Sequence, residues 1–252
     1  MQRYDFTGKR ILITGGSKGI GKATALQFAQ SGAVVAILAR TKCDLESAAA
    51  EIASVTNGNL PLVLVGDVSS FEQMQSCFEQ ISKAWGGLDV LVNSAGINNP
   101  KGILDTDIDE WREVIETNLT GVFICCKLAS QIMTKQKCGT IINVSSVAAQ
   151  YGGRSPQYSA SKVGVEGITK SLAREMAGYN VRVNAIAPAG TETEFSQKYW
   201  DDEKRNSLLA NTIIGRIALP DEVAEPILFL ASDAASYITG STLQVNGGVL
   251  LA

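Results

Sequence analysis

Histidine is absent from the 252-residue sequence. This absence excludes histidine-based acid–base catalysis, nucleophilic sites that depend on a histidine, and histidine-ligated metals. The five cysteines show no Cys-x-x-Cys spacing, and the adjacent Cys125 and Cys126 cannot form an ordinary metal site by themselves. Their odd number predicts reduced thiols in a cytosolic protein, with the adjacent pair as small core residues. We therefore expect no metal in this protein.

Strong charge and long apolar runs are also lacking. A net charge of −3 leaves no basic excess that could neutralise the phosphates of a nucleic acid. The longest apolar runs, such as residues 33–39, are far too short to span a bilayer. Residues 1–9 are polar and show no secretory signal. We expect a soluble, cytoplasmic protein whose partners include neither a membrane nor a nucleic acid.

What the sequence does contain is a regular alternation of short β-branched runs and longer helical stretches. Near-continuous apolar strands that alternate with helices indicate a parallel sheet covered on both faces. Neither a linker nor an internal repeat interrupts the order, so residues 1–252 are expected to form one α/β domain. The expected strands are 10–14, 33–39, 62–65, 88–93, 139–144, 181–187 and 242–245, and the expected helices are 19–31, 42–55, 70–85, 109–135, 156–177 and 221–231.

Residues 188–215 form the one long stretch without clear periodicity. Loops of this length are uncommon inside a compact domain and are often functional. This stretch follows the carboxyl end of a strand, where open α/β sheets bind ligands. We expect it to be a substrate lid.

A glycine-rich turn follows the first strand, where residues 14–21 read TGGSKGIG. Glycines let the backbone turn tightly and approach a pyrophosphate, whose charge then lies at the N-terminus of the next helix. The spacing is G-x-x-x-G-x-G and differs from the familiar G-x-G-x-x-G. Taken alone, the turn fits either a dinucleotide site or a turn that serves only packing.

Tyr158 and Lys162 are four residues apart in an expected helix, so their side chains are neighbours on one face. A cation beside a phenol favours the phenolate, and the pair could supply an acid or a base closer to neutral pH. The same spacing also occurs on solvated helix faces. The pair alone therefore leaves both readings open.

Other motifs accompany these two in a fixed order. They are Asp67-Val68 after the third strand, Asn93-Ser94-Ala95-Gly96 after the fourth, Asn118 in the helix that follows, and Ser145-Ser146 at the end of the fifth. With this set, the chain resembles the short-chain dehydrogenase/reductase family over essentially its whole length. Within that family it is most similar to the 3-oxoacyl-acyl carrier protein reductase type and its sugar- and polyol-active relatives.

The resemblance implies a single-domain, Rossmann-like fold, with a doubly wound parallel sheet of about seven strands flanked by helices. It also implies a catalytic set. Tyr158 would give a proton to the substrate oxygen in reduction, or take it in oxidation. Lys162 would hold the nicotinamide ribose and favour the phenolate. Ser146 would hydrogen-bond the substrate carbonyl as charge develops, and Asn118 would hold a water in a proton relay to Lys162.

The cofactor site that the resemblance implies spans the same edge of the sheet. Asp67 and Val68 would flank the adenine, and the Asn93 motif would line the adenosine ribose and pyrophosphate side. The implied cofactor-binding residues are Gly15, Ser17, Lys18, Gly19, Ile20, Gly21, Arg40, Thr41, Asp67, Val68, Asn93, Ala95, Gly96, Tyr158, Lys162, Pro188, Thr191 and Thr193.

Two neighbouring serines compete for the catalytic role. Counting forward from the fifth strand favours Ser146, whereas counting back from Tyr158 by the family's usual interval reaches Ser145. We favour Ser146, because a loop absorbs a one-residue deletion more easily than a strand does.

The end of the second strand predicts which nicotinamide binds. In Rossmann domains an acidic residue there binds the ribose 2′-hydroxyl of NAD, whereas an arginine suits the 2′-phosphate of NADP. Ala39 stands at the acidic position and Arg40 follows it, and an arginine grips phosphate with two parallel donors. Lys18 could reach the same phosphate. We predict that NADP(H) is preferred over NAD(H) by at least about tenfold in apparent affinity.

The function that we favour is NADPH-dependent reduction of a ketone or aldehyde, 3-oxoacyl or another small carbonyl compound, to the alcohol. One alternative is an NADP-dependent polyol or sugar-alcohol dehydrogenase that works in the oxidative direction. Another is a catalytically silent NADP(H)-binding regulator. Substrate contacts are expected from Asn98, from polar side chains within residues 150–157 such as Gln157, and from residues 192–215.

The resemblance also implies a homo-oligomer, because family members commonly form tetramers through the two long helices that carry Asn118 and Tyr158. Ala160, Gly164 and Gly167 would allow close packing of such helices. The same small residues could equally serve packing within one chain.

Overall fold

Seven parallel strands form one sheet through the middle of the molecule. The computed structural model describes residues 4–56 and 58–251, so both ends of the expected 1–252 domain, and residue 57, lie outside the described residues. The spatial order is β3-β2-β1-β4-β5-β6-β7, which confirms the predicted single-domain, doubly wound architecture. The strands are β1 (Arg10–Thr14), β2 (Val34–Ala39), β3 (Leu62–Val65), β4 (Val90–Asn93), β5 (Gly139–Val144), β6 (Val181–Pro188) and β7 (Thr242–Val245).

Helices cover both faces of this sheet. One face carries α1 (Gly19–Gln30), α2 (Lys42–Val55) and α10 (Pro220–Ala231), and the other carries α3 (Phe71–Trp85), α5 (Gly121–Gln136) and α7 (Pro156–Met176). Shorter helices are α4 (Ile108–Ile115), α6 (Ala148–Tyr151), α8 (Glu194–Gln197) and α9 (Asp202–Asn211). Because both faces of the strands are covered, the molecule has two apolar cores, with Phe28 in one and Met74 in the other.

The order of the strands reverses between β1 and β4. The chain first builds β2 and β3 on one side of β1, and then returns to place β4 on the other side. Crossover connections on opposite sides leave a crevice at the carboxyl ends of the two central strands. Thr14 ties these ends together, since its Oγ1 accepts hydrogen bonds from the backbone N–H groups of Ser94 and Ala95, both at 3.2 Å.

The prediction of one unbroken helix over residues 109–135 is wrong. The chain forms α4, then a π-helical turn over Glu116–Thr120, and then α5. The turn directs Asn118 toward Ile97, and the Asn118 side chain bonds both the N–H and the C=O of that residue at 2.8 Å. Single π-turns inside α-helices are frequent at functional sites, and this one supplies a side chain to the edge of the crevice.

The expectation that residues 188–215 lack regular structure is also wrong. This stretch contains α8 and α9. Helix α9 reads DEKRNSLLAN, which is too polar to show the apolar periodicity by which a helix is recognised in a sequence.

None of the helices within residues 4–56 and 58–251 combines the length and the apolar character that are needed to cross a membrane. The same residues contain no group of three or more histidine, cysteine or acidic side chains that could hold a metal ion. Cys125 and Cys126 are both buried, which confirms that they are core residues. Burial raises the pKa of the Cys126 thiol to about 12, so this thiol is not a nucleophile at neutral pH.

Candidate active site

The glycine turn lets β1 run directly into α1 at the crevice. Gly15 has a φ of 67°, and a Cβ on it would lie 2.9 Å from the backbone of Ala95. A Cβ on Gly21 would fall well inside contact distance of the Gly15 carbonyl oxygen. The backbones of β1, α1 and the segment after β4 therefore approach more closely here than any side chain would allow.

The N-terminus of α1 is open to an anion. Lys18 occupies the N-cap position, no side chain caps the helix, and its first turn carries no acidic residue. The first backbone N–H groups of a helix lack partners within it, and together with the helix dipole they attract negative charge. Ser17 and Ile20 are partly exposed beside this terminus. Packing alone would not require an uncapped helix here, so a pyrophosphate group fits the turn.

Tyr158 and Ser146 meet at the carboxyl end of β5. The Ser146 side chain lies close enough to the Tyr158 phenol to influence its pKa, and the Ser146 Oγ accepts a hydrogen bond from Ala148 N–H at 3.2 Å. Burial raises the pKa of Tyr158 above its ordinary value, while the Ser146 side chain opposes part of that rise. The surrounding protein therefore does not lower the pKa of Tyr158 toward neutrality, contrary to expectation. Tyr158 is protonated at neutral pH and can act as an acid.

Lys162 lies one helical turn beyond Tyr158 on the same face of α7. Its Nζ is 5.5 Å from the centre of the Tyr158 ring and donates to the carbonyl oxygen of Val144 at 2.8 Å. Burial lowers the pKa of Lys162 to about 8. The pair is therefore not on a solvated helix face, because the ammonium is almost fully buried against the end of β5.

Ser145 faces away from this group and into the protein. Its Oγ donates to the Glu166 carboxylate at 3.0 Å and lies 3.3 Å from the carbonyl oxygen of Lys162. The structure thus brings Ser146, and not Ser145, to the Tyr158 hydroxyl. Glu166 was missed in the sequence, where it is simply one of several charged residues of a helix.

Asn118 joins the same neighbourhood from the π-turn. Besides its two bonds to Ile97, its Nδ2 donates to the Ser161 Oγ at 3.3 Å. Gly96 lies between this side chain and the lysine, since a Cβ on it would be 3.3 Å from Asn118 Oδ1 and 3.8 Å from Lys162 Nζ. The Asn118 amide thus holds the segment after β4 in place.

The residues predicted around the adenosine lie at the crevice, but two of their side chains point elsewhere. The Asn93 amide is buried and donates to Asn143 Oδ1 at 2.9 Å, so only the backbone of Asn93 can face a ligand. Val68 packs on α5, where a Cβ on Gly121 would be 2.8 Å from it. The Asp67 carboxylate accepts from the N–H and hydroxyl of Ser69, at 3.0 and 2.7 Å.

The two cations predicted for the 2′-phosphate both have carboxylate partners. Lys18 Nζ lies 2.6 Å from Asp44 Oδ2, and this contact raises the pKa of Lys18. Arg40 is more loosely paired, with Nη1 3.8 Å from Asp67 Oδ2. Thr41 is the exposed N-cap residue of α2. No carboxylate follows β2 directly, as predicted. The contact of Asp44, on the first turn of α2, with Lys18 was not predicted, because only the folded chain brings these two residues together.

The segment after β6 closes over the glycine turn. The Pro188 carbonyl accepts from Val147 N–H at 3.0 Å, next to Ser146. A bridge connects Thr191 with Ala218. A Cβ on Gly19 would lie 3.0 Å from Thr193 Cγ2, so the base of the predicted lid meets the start of α1.

The lid also reaches the loop after β4. The Tyr199 hydroxyl donates to the carbonyl oxygen of Asn98 at 2.7 Å, a contact that no local sequence signal announces. The prediction that Gln157 contacts substrate is wrong, because its side chain is fully buried and donates to the Asn99 carbonyl at 2.6 Å. Tyr151, by contrast, is exposed at this edge.

Comparison with known proteins agrees with this arrangement. A family model described as enoyl-(acyl carrier protein) reductase matches residues 15–250. The 3-oxoacyl-[acyl-carrier-protein] reductase FabG of Thermotoga maritima is 42% identical over 245 residues, which cover 97% of this chain and 98% of that protein. The protein of the same name from Salmonella typhimurium is 40% identical over 249 residues, which cover 98% and 99%. A solved short-chain type dehydrogenase/reductase from Mycobacterium marinum has a TM-score of 0.93 at 35% identity and covers 98% of both chains.

These similarities extend along nearly the whole chain and include the order of the strands as well as the sequence. The predicted resemblance is therefore confirmed. The chain belongs to the short-chain dehydrogenase/reductase family and is an oxidoreductase that acts on CH–OH groups.

Proposed function

We propose that this protein reduces the ketone of a 3-oxoacyl thioester to the alcohol, with NADPH as the reductant. The observation that carries the proposal is the placement of the Tyr158 and Ser146 side chains next to each other and beside the buried Lys162. Two hydroxyls that converge on one point suit a single carbonyl oxygen, which can accept from both. The relatives named 3-oxoacyl-[acyl-carrier-protein] reductase support this choice of carbonyl.

The protein's own residues would act on the substrate oxygen. When bound, the cofactor supplies a hydride to the carbonyl carbon. Negative charge then develops on the oxygen, where the Ser146 hydroxyl stabilises it by a hydrogen bond and Tyr158 neutralises it by giving up its proton. Lys162 would hold the ribose and, with Asn118, return a proton to the phenolate.

The fold offers a place for NADPH. The uncapped N-terminus of α1 would receive the pyrophosphate, and the close approach at Gly15 would let backbone reach it. Arg40 and Lys18 would bind the 2′-phosphate, which NADH lacks. Arginine in particular matches the geometry of a phosphate.

Reduction is preferred to the oxidative polyol alternative because the similar proteins are named 3-oxoacyl-[acyl-carrier-protein] reductase. Tyr158 itself would serve either direction, since it gives up a proton in reduction and takes one in oxidation. A silent regulator is the least favoured alternative, because Asn118, Ser146, Tyr158 and Lys162 are all present and lie at one edge of the sheet.

Exposed apolar side chains on the segments that follow β4, β5 and β6 favour an apolar acyl chain over a sugar. A protein surface exposes such groups at a cost. These exposed side chains are Ile103, Leu104, Tyr151, Ile213 and Ile214. Residues 188–215, which carry two of them, are proposed to act as the lid over this chain.

Assembly and location complete the proposal. We place the protein in the cytoplasm, where its five unpaired cysteines would remain reduced. We also propose a homotetramer built through α5 and α7. On α7, Gly164 is used within the chain, because a Cβ there would be 2.7 Å from Leu119, whereas Gly167 meets nothing within 4 Å and is free for a partner.

The test is NADPH oxidation with a panel of a 3-oxobutanoyl thioester, a crotonyl thioester, a 1,2-diketone and a ketose. We expect the 3-oxobutanoyl thioester to be the best substrate. The crotonyl thioester is included because the matching family model is described as an enoyl reductase. In Tyr158→Phe, turnover should fall by about 100-fold or more, the usual contribution of a positioned acid.

NADPH binding by fluorescence serves as the control, because Tyr158→Phe removes one hydroxyl and leaves the ring that packs near Lys162. Affinity for NADPH should fall far less than turnover in the variant, because the other proposed cofactor contacts remain. Faster turnover of crotonyl thioester or ketose would overturn the substrate class, and full activity of Tyr158→Phe would overturn the mechanism.

A further inference from the structure

Two ion pairs occupy the place where the ribose 2′-phosphate is proposed to bind. Lys18 is paired with Asp44 at 2.6 Å, and Arg40 is paired with Asp67 at 3.8 Å. Each cation thus already has a carboxylate partner. A 2′-phosphate must therefore compete with these carboxylates for both cations. The uncharged 2′-hydroxyl of NADH would interact much more weakly with either cation.

The two pairs differ in how tightly they are held. Asp67 is fixed by its bonds to Ser69, and Arg40 reaches it only at the limit of an ion pair, with more than half of the arginine side chain exposed. Arg40 can therefore turn to a phosphate at little cost. Asp44 makes direct hydrogen-bond contact with Lys18, so the competition for Lys18 is the stronger one.

Asp44 is also well held in its present position. It lies in the first turn of α2, where the positive end of the helix dipole favours a carboxylate, and only 28% of its side chain is exposed. Glu194 adds a second, more distant negative charge near Lys18. A phosphate that approaches Lys18 would meet the Asp44 carboxylate, and like charges at such a distance repel.

We propose that Asp44 is a specificity-determining residue that weakens the preference for NADPH by occupying the ammonium of Lys18. This inference rests on the proposed 2′-phosphate site. It predicts that the chain discriminates less strongly between NADPH and NADH than the two cations Lys18 and Arg40 alone would allow. Without the carboxylate charge, Lys18 would be free to donate to the phosphate.

The variant that tests this is Asp44→Asn, which keeps the shape and one acceptor oxygen but removes the charge. We expect the affinity for NADPH to rise by about threefold, the size that an exposed ion pair contributes, and the affinity for NADH to stay the same. Cofactor-induced quenching of tryptophan fluorescence in the full-length chain provides the measurement. Adenosine 2′,5′-bisphosphate and 5′-AMP, used as a second pair of probes, isolate the 2′-phosphate from the nicotinamide.

Two further variants separate this role from a general change of charge. Glu51→Gln removes a carboxylate from the same helix, but its partner is Lys22 at 3.1 Å, so it should leave the NADPH-to-NADH ratio unchanged. In a Lys18→Ala background, Asp44→Asn should no longer improve NADPH binding. An unchanged or lower ratio in Asp44→Asn would overturn the inference, and so would an equal gain in Glu51→Gln.

The cofactor proposal can fail separately. If the wild-type protein binds NADPH and NADH equally, the proposed preference is wrong, whatever Asp44 does. If the wild type prefers NADPH while Asp44→Asn leaves the ratio unchanged, only the role of Asp44 is wrong.

Discussion

At the residue scale, Ser145 and Ser146 directly follow the last residue of β5, and their side chains point in different directions. Only one of the two meets Tyr158. Ser146 does so, while Ser145 bonds Glu166 and approaches the Lys162 carbonyl on the inner side. Ser145 therefore connects β5 to α7, the helix that carries both Tyr158 and Lys162.

We predict different losses for the two alanine variants. Ser146→Ala should lower kcat/KM for the carbonyl substrate by about 100-fold, the usual effect of removing one donor to a developing oxyanion, and should cost at most about 1 kcal/mol of stability through the lost hydrogen bond from Ala148 N–H. Ser145→Ala leaves the Glu166 carboxylate with one donor fewer, and should cost roughly 1–3 kcal/mol of stability with a much smaller loss of kcat/KM. Steady-state kinetics and thermal unfolding measure both effects.

NADPH affinity is the control, because neither serine is proposed to bind the cofactor. A Ser145→Ala enzyme that loses turnover while Ser146→Ala retains it would reverse the assignment of the two residues.

At the element scale, the order of strands and helices could be predicted from the sequence, and the breaks within elements could not. Buried parallel strands such as Ile11 to Thr14 are nearly all apolar, and this pattern can be recognised in the sequence without knowledge of the fold. The π-turn at Asn118 has no such pattern, because it depends on the distant backbone of Ile97. Helix α9 was not predicted, because its polar residues show no apolar periodicity.

The candidate site divides in the same way. Tyr158 and Lys162 could be predicted because their spacing is local to one helix, and Ser146 because the resemblance to the family implies a serine at this strand end. The Lys18–Asp44 ion pair joins the turn before α1 to the first turn of α2, and Tyr199 meets Asn98 across the mouth of the crevice. Such contacts are created by tertiary structure, so sequence spacing does not reveal them.

The junction of β1 and α1 gives an element-scale prediction. In Gly21→Ala the new methyl group would collide with the Gly15 carbonyl, so helix and strand must move apart. Overpacking of this kind costs roughly 1–3 kcal/mol, which should lower Tm by roughly 2–10 °C in a domain of this size. NADPH binding should weaken as well, because the start of α1 moves. Thermal unfolding and fluorescence titration measure the two effects.

Gly178→Ala provides the matched control, because a Cβ there meets nothing within 4 Å. Its Tm and its NADPH affinity should remain close to those of the wild type. Unchanged stability and binding in Gly21→Ala would show that the turn tolerates a side chain, contrary to the close approach described above.

At the scale of the whole molecule, α5 and α7 leave apolar side chains uncovered on the outside of the sheet. The two helices lie side by side, and Phe123 on α5 and Val163 on α7 are each 53% exposed. Ala160 and Gly167 lie on the same outer side of α7, where small side chains would let another helix approach closely. Exposed apolar surface of this kind marks protein–protein interfaces in soluble proteins.

We predict that the wild-type protein sediments as a species of four times the protomer mass, and that Val163→Glu sediments as a smaller one. A carboxylate at position 163 would be buried against the partner helix without a counter-charge, which disfavours association. Val55→Glu is the matched control, because Val55 is exposed at the end of α2, away from the proposed interface, and this variant should remain tetrameric. Sedimentation velocity decides the matter: a monomeric wild type would refute the assembly, and an intact tetramer in Val163→Glu would place the interface elsewhere on the surface.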